Sequence, residues 1–206
     1  MAPRGTQTRD ELLRAAEYLF ARQGVGGTRT KQIVERAGQG NDSAVQYHFG
    51  SRQGLLEAIL GRHLSRMERQ WLRSVVSLRE SHELGPVVDA LIGPLADELL
   101  REDGRDFLRI VAGIAGWAGV RTHALPTPLH DTALAEQLAL LEQGCLRMMP
   151  EDLALERIAM VISMLTAALA DRAHRIDEHL PVLLDHKYFV ANLVVMVTAA
   201  LLAPPP

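Results

Sequence analysis

Apolar residues recur at three- and four-residue spacing through most of the chain, and no stretch shows the two-residue alternation of a half-buried strand bounded by turns. That period constrains the fold more than any other feature: it predicts an all-α protein of about nine helices, with no internal repeat. From Thr8 to Arg22, Leu12, Ala16, Leu19 and Phe20 mark one buried stripe. Thr8 and Glu11 have capping-box spacing, and Gly24 supplies a stop. A short second helix follows, with Thr30 as N-cap, Ile33, Val34 and Ala37 facing inward, and Gly38 at its end. A third begins near Asn41 or Asp42, where Val45 and Phe49 share a face and Ser43, Gln46 and Tyr47 point away from it.

A fourth helix begins near Ser51 and carries Leu56, Leu60, Leu64, Met67 and Trp71 on one stripe. Further amphipathic segments span Val87 to Arg101, Asp106 to Trp117, Thr132 to Met149, Leu153 to Arg172 and Asp185 to Leu202. Gly85-Pro86, Gly93-Pro94, the loop THALPTPLHDT, Pro150 and Pro181 punctuate them, and Pro204 to Pro206 reads as a frayed tail.

Charge is unevenly spread. Met1 to Arg66 holds ten Lys or Arg against six Asp or Glu, a net of +4, whereas Met67 to Pro206 holds twelve against nineteen, a net of -7. A basic end on an acidic body hints at a nucleic-acid-binding segment, with a chance excess of solvated arginines as the competing account. The single Cys145 can form no internal disulfide, and no leader pattern opens the chain, so a cytoplasmic setting is expected. Met160 to Ala170 and Tyr188 to Ala203 fall short of a continuous apolar membrane span and read as buried helices, with no membrane partner. The eight histidines show no compact metal-ligand spacing, and no phosphate loop, nucleophile elbow or activated thiol is present. Neither an enzyme, a metal nor a cofactor is expected.

Two short helices joined by a Gly-containing turn make a helix-turn-helix, whose second helix can enter the DNA major groove. Gln46 suits the N6 and N7 edge of adenine, Ser43 several base edges, and Tyr47 or His48 a phosphate or the groove wall. Residues 8 to about 60, through LLRAAEYLF, GGTRTKQIVERAG and YHFGSRQGLLEAIL, resemble the DNA-binding domain of the tetracycline-repressor (TetR) family of transcriptional regulators. The resemblance implies a DNA surface of Thr30, Lys31, Ser43, Ala44, Gln46, Tyr47 and His48, with Arg52 in place of the family's phosphate-contacting lysine. The chain departs from the pattern in two places: GQGND is one residue longer than the usual turn, and Gln46 stands where the family carries Tyr. Asp42, which phosphates would repel, is read as a helix cap, with acceptance from a cytosine amine as the alternative.

The resemblance divides the chain into a helix-turn-helix domain, residues 1-50, and a helical effector-binding and dimerisation domain, residues 51-206. It implies a homodimer paired through the last two helices on a palindromic operator, most simply a repressor released by an unidentified small molecule. Phe107, Trp117, Cys145, Met148, Met149, Met160 and Met164 are candidates for an apolar effector pocket, with ordinary core as the alternative. Arg109, Arg121, His123 or His130 could supply a polar end. The competing class is a helical adaptor or small-molecule-binding protein whose helix-turn-helix no longer binds DNA.

Overall fold

The computed structural model describes residues 4–41, 43–79, 83–115 and 129–204. Among them are nine α-helices and no strand. They are α1 (Arg4–Gln23), α2 (Thr30–Arg36), α3 (Ala44–Phe49), α4 (Arg52–Leu78), α5 (Leu84–Asp97), α6 (Glu102–Ala115), α7 (Ala133–Leu146), α8 (Glu151–Asp177) and α9 (His186–Leu202), with a 3-10 turn at Glu98–Leu100.

Several boundaries differ from the sequence pattern, each for a local reason. α1 begins before Thr8, so Thr8 lies inside the helix and Glu11 accepts from the Gln7 and Gln39 side chains instead of closing a capping box. Arg29 rather than Thr30 occupies the N-cap of α2, and Gln32 Oε1 reaches back to accept its backbone N–H at 2.8 Å. Asn41 Oδ1 accepts from the Ser43 N–H at 2.9 Å, an Asx turn that holds the chain out of helix until Ala44. Asp42 lies outside the described residues. Ser51 caps α4 as its position predicts, its Oγ accepting from Gly54 N–H at 2.9 Å.

Both Gly-Pro pairs, expected as breaks, lie within α5. Pro86 occupies the first turn, where its missing N–H has no intrahelical acceptor to lose. Pro94 sits one turn from the end, and the helix tightens into the 3-10 turn soon after it. α6 starts at Glu102, four residues before the apolar stripe suggests, because Glu102 and Asp103 in its first turn favour the positive end of the helix dipole.

One continuous apolar cluster joins all nine helices. Leu12 and Phe20 of α1, Ile33 of α2, Val45 of α3 and Leu55 and Ile59 of α4 are buried together at the N-terminal end. Beyond them the expected α4 stripe continues through Leu64, Met67, Trp71 and Val75 towards α5 and α7. α6 lies between α1 and α8, and α9 packs on α5 and α8. Where a frayed tail was expected, Arg157 of α8 donates to the carbonyls of Ala203 and, at 2.9 Å, Pro204.

α8 is long and apolar enough to cross a membrane by length and composition, a test that the core helix of a soluble protein also passes. Only 28% of its most apolar window is buried within the chain. Met160 on α8 and Tyr188, Val195, Met196 and Leu202 on α9 are exposed.

Candidate nucleic-acid interface

α3 is only six residues long, too short to be stable in isolation, so tertiary anchoring must hold it. Val45 supplies the anchor, 2% exposed against the core, and half-buried Phe49 packs beside it under the Arg9 guanidinium. Gly50 ends the helix at φ +71°, a left-handed conformation that costs a glycine little, with its N–H returned to Gln46 O. Ser43 and Gln46 are exposed and Tyr47 is 84% exposed, whereas His48 is half-buried and half-buried Ala44 packs against the core. Tyr47 and His48 meet edge to face, their ring centroids 4.9 Å apart.

Two flanking cations complete the surface. Lys31 is exposed at the start of α2 and meets Glu35 at 3.8 Å, an exposed pair weak enough for a phosphate to displace. Thr30 beside it is half-buried. Arg52, the first residue of α4, lays its guanidinium against the Phe20 ring at 5.6 Å. Its Nε and one Nη are buried and have no hydrogen-bond partner among the described residues. Of the predicted DNA residues, Lys31, Ser43, Gln46 and Tyr47 are exposed, and Thr30, Ala44, His48 and Arg52 are half-buried.

Behind this surface is a polar cluster that the sequence reading missed. His63 of α4 is fully buried, with Nδ1 2.7 Å from Glu98 Oε2 and Nε2 in contact with Glu17 Oε1 of α1. Phe107 of α6 stacks on its ring at 4.4 Å, 11° from parallel. Glu17 also accepts from Arg62, Glu98 from Arg66 at 3.0 Å, and Arg66 reaches Asp103 of α6 at 2.9 Å. Burial alone would lower the His63 pKa, but hydrogen bonds to Glu17 and Glu98, with the Glu17 charge, outweigh burial and Arg66 and raise it. A second chain of ion pairs runs from Arg22 of α1 to Asp106 at 2.9 Å, then through Arg109 to Asp177 of α8 at 2.6 Å. The available signal was a titratable residue on an apolar stripe: His63 lies one turn from Ile59 and Met67.

The six described effector candidates differ in burial and surroundings. Phe107 belongs to the histidine cluster, while Cys145 and Met149 are core. Met164 is half-buried, and Met148 and Met160 are 44% and 64% exposed. Trp117, Arg121 and His123 lie outside the described residues. Arg109 is engaged by Asp106 and Asp177. Burial pushes the Cys145 thiol up, with Arg157 opposing and Glu142 adding, which leaves it a poor nucleophile. A cleft of about 930 Å³ lies between α1, α2 and α6, bordered by Glu11, Tyr18, Arg36, Glu102 and Asp106, and none of the six described candidates lines it.

Residues 12–59 match the sequence profile of the bacterial regulatory proteins, tetR family. The HTH-type transcriptional repressor NicS of Pseudomonas putida is 37% identical over 59 residues, which are 29% of this chain and 27% of NicS. The match therefore spans about a quarter of that relative's length. Two solved structures share the overall fold. Salmonella enterica GusR superposes with a TM-score of 0.54 at 20% identity, covering 97% of this chain and 98% of GusR. A gamma-butyrolactone receptor (ArpA-like protein) superposes with a TM-score of 0.50 at 19% identity, covering 95% and 98%.

Proposed function

We propose that this chain, a member of the tetR family of bacterial regulatory proteins by its residues 12–59, binds operator DNA as a homodimer and is released from it by a small molecule. The observation that carries the DNA reading is α3 itself: a six-residue helix held by Val45, presenting Ser43, Gln46 and Tyr47 to solvent between the cations Lys31 and Arg52. In the major groove Gln46 offers a paired donor and acceptor that match adenine N6 and N7, and Ser43 can meet several base edges. Lys31 and Arg52 bring charge to the phosphates on either side, and Tyr47 and His48 meet the sugar-phosphate wall. Thr30 and Ala44 set the close approach at the helix starts.

The division at residues 50 and 51 makes α1 to α3 the reading head and α4 the rod that joins it to the effector-binding and dimerisation body. Uncovered apolar side chains on α8 and α9 support pairing of these helices with their copies, and two-fold pairing fits a palindromic site. An effector changes operator affinity only if it binds the DNA-competent and DNA-incompetent arrangements of the two heads unequally. NicS is a repressor, and that supports the same sign of regulation here.

The test is fluorescence anisotropy of the purified chain with duplex from upstream of its own gene against a scrambled duplex, at two salt concentrations. Selective binding that weakens steeply with salt is expected. Unchanged binding after alanine replacement of Lys31, Gln46, Tyr47 and Arg52 together would remove the assignment.

A further inference from the structure

Both ring nitrogens of His63 face carboxylate oxygens, Glu17 on α1 and Glu98 in the 3-10 turn. A neutral imidazole has one N–H and one lone pair, so it donates to only one of two such acceptors, whereas the imidazolium donates to both. We propose that His63 is the positioning residue that holds the reading head against the body, gripping Glu17 and Glu98 together while it carries a proton and loosening α1 when it loses that proton. The effect on DNA rests on the operator-binding reading above; the latch itself does not.

Every element packed against the ring brings charge to it. Glu17 comes from α1, Arg62 and Arg66 from α4 itself, Glu98 from the 3-10 turn, and Asp103 from α6. Asp106 of α6 also acts on Glu17 but is itself held by Arg22 and Arg109. With His63 protonated, the cations Arg62, His63 and Arg66 face the carboxylates Glu17, Glu98 and Asp103, the last also paired with the exposed Arg101 at 3.3 Å. Proton loss removes the one cation that Glu17 and Glu98 share, at a place where His63 and Glu17 are 0% and 3% exposed and solvent cannot take its part. Arg66 already touches Nδ1 and can donate to the lone pair freed there, so that Nε2–H still faces Glu17 but as a neutral donor, about half as strong as the charged one. Glu17 then keeps Arg62 and the neutral Nε2–H, and the grip on α1 weakens by the charge His63 has lost.

The direction in pH follows from linkage. A histidine held protonated by the fold contributes fully below its ordinary value of 6.5 and loses that contribution as pH rises through the raised one. A loosened head must be ordered again on DNA, so operator affinity falls as pH rises through this window.

The full chain without DNA is the right sample, so that failure of the latch is distinct from failure of the operator reading. The His63 ring is assigned through its backbone and titrated by NMR. Hydrogen exchange of α1 amides, corrected for intrinsic rates, is followed over the same pH range. We expect His63 to titrate above 6.5. We expect α1 protection to fall across the window by about tenfold for each unit separating its midpoint from that of the opened chain. In Glu98→Gln both transitions move together to lower pH. A His63 that titrates at or below the ordinary value, or α1 protection that ignores the His63 midpoint, overturns the latch. Should Glu98→Gln not fold, the two wild-type curves decide.

Discussion

Two glycines on α4 make opposite responses to the same substitution a sharp test of how the reading helix is seated. A Cβ on Gly54 would lie 2.2 Å from the Phe49 carbonyl oxygen and 3.3 Å from its carbon, whereas a Cβ on Gly61, two turns further on, meets nothing within 4 Å. In Gly54→Ala the end of α3 must retreat by roughly 0.8 Å before the contact reaches the 3.0 Å closest approach that Cβ atoms tolerate. The obstacle is backbone, next to a left-handed Gly50, so it cannot swing aside like a flexible side chain. Forced overpacking of this kind costs about 1–3 kcal/mol. Gly61→Ala meets no such obstacle and gains about 0.8–1 kcal/mol of helix propensity. Urea unfolding of the two variants should therefore differ by about 2 kcal/mol or more, which is about 4–8 °C in midpoint temperature for a chain of this size. Operator affinity should drop at least about tenfold in Gly54→Ala, the equivalent of about 1.4 kcal/mol, and stay at the parent level in Gly61→Ala. Equal stabilities and equal affinities would refute the close seating of Phe49 on α4.

Tyr47→Ala removes an 84% exposed ring, so unfolding free energy should stay within about 0.5 kcal/mol while operator binding in anisotropy weakens. Arg52→Ala, if the guanidinium meets a phosphate, should lower the slope of log affinity against log salt by about 1. Trp71→Ala empties a fully buried site whose Nε1 donates to Leu91 O at 3.4 Å, and should cost about 3–5 kcal/mol in denaturant unfolding. Burial would raise the Asp177 carboxyl pKa, but Arg109 and Arg105 outweigh it and hold it below the ordinary 3.8. Its stabilisation is present above that value and lost as pH falls through the lowered one, so Asp177→Asn should destabilise the chain at neutral pH and flatten its acid unfolding curve.

The three-and-four period was enough to place α4, with its Ser51 cap and the stripe from Leu56 to Trp71, because a buried face and a side-chain cap are both local properties of sequence. Thr132 and Asp185, which cap α7 and α9, are legible for the same reason. Starts without a favoured cap were displaced: Arg29 precedes α2 although Thr30 has the better cap chemistry, since Gln32 satisfies the N–H instead. At the DNA surface, Val45 and Phe49 betray the inward face of α3, so the outward face follows by geometry. The partners of His63 were not legible because Glu17, Glu98 and Phe107 reach it from other helices and from a 3-10 turn whose place depends on the whole fold. The effector candidates scattered for a related reason: Met and Cys at helical spacing identify interior-compatible side chains without saying which of them face a common void.

Arg157 bears on how two copies would meet. By tying the carbonyls of Ala203 and Pro204 to α8, it fixes α9 in register along its neighbour before any partner arrives. On the dimer reading, the incoming copy then encounters a preorganised template instead of a fraying helix end. Less conformational freedom is surrendered on association, and removing this one side chain would weaken self-assembly.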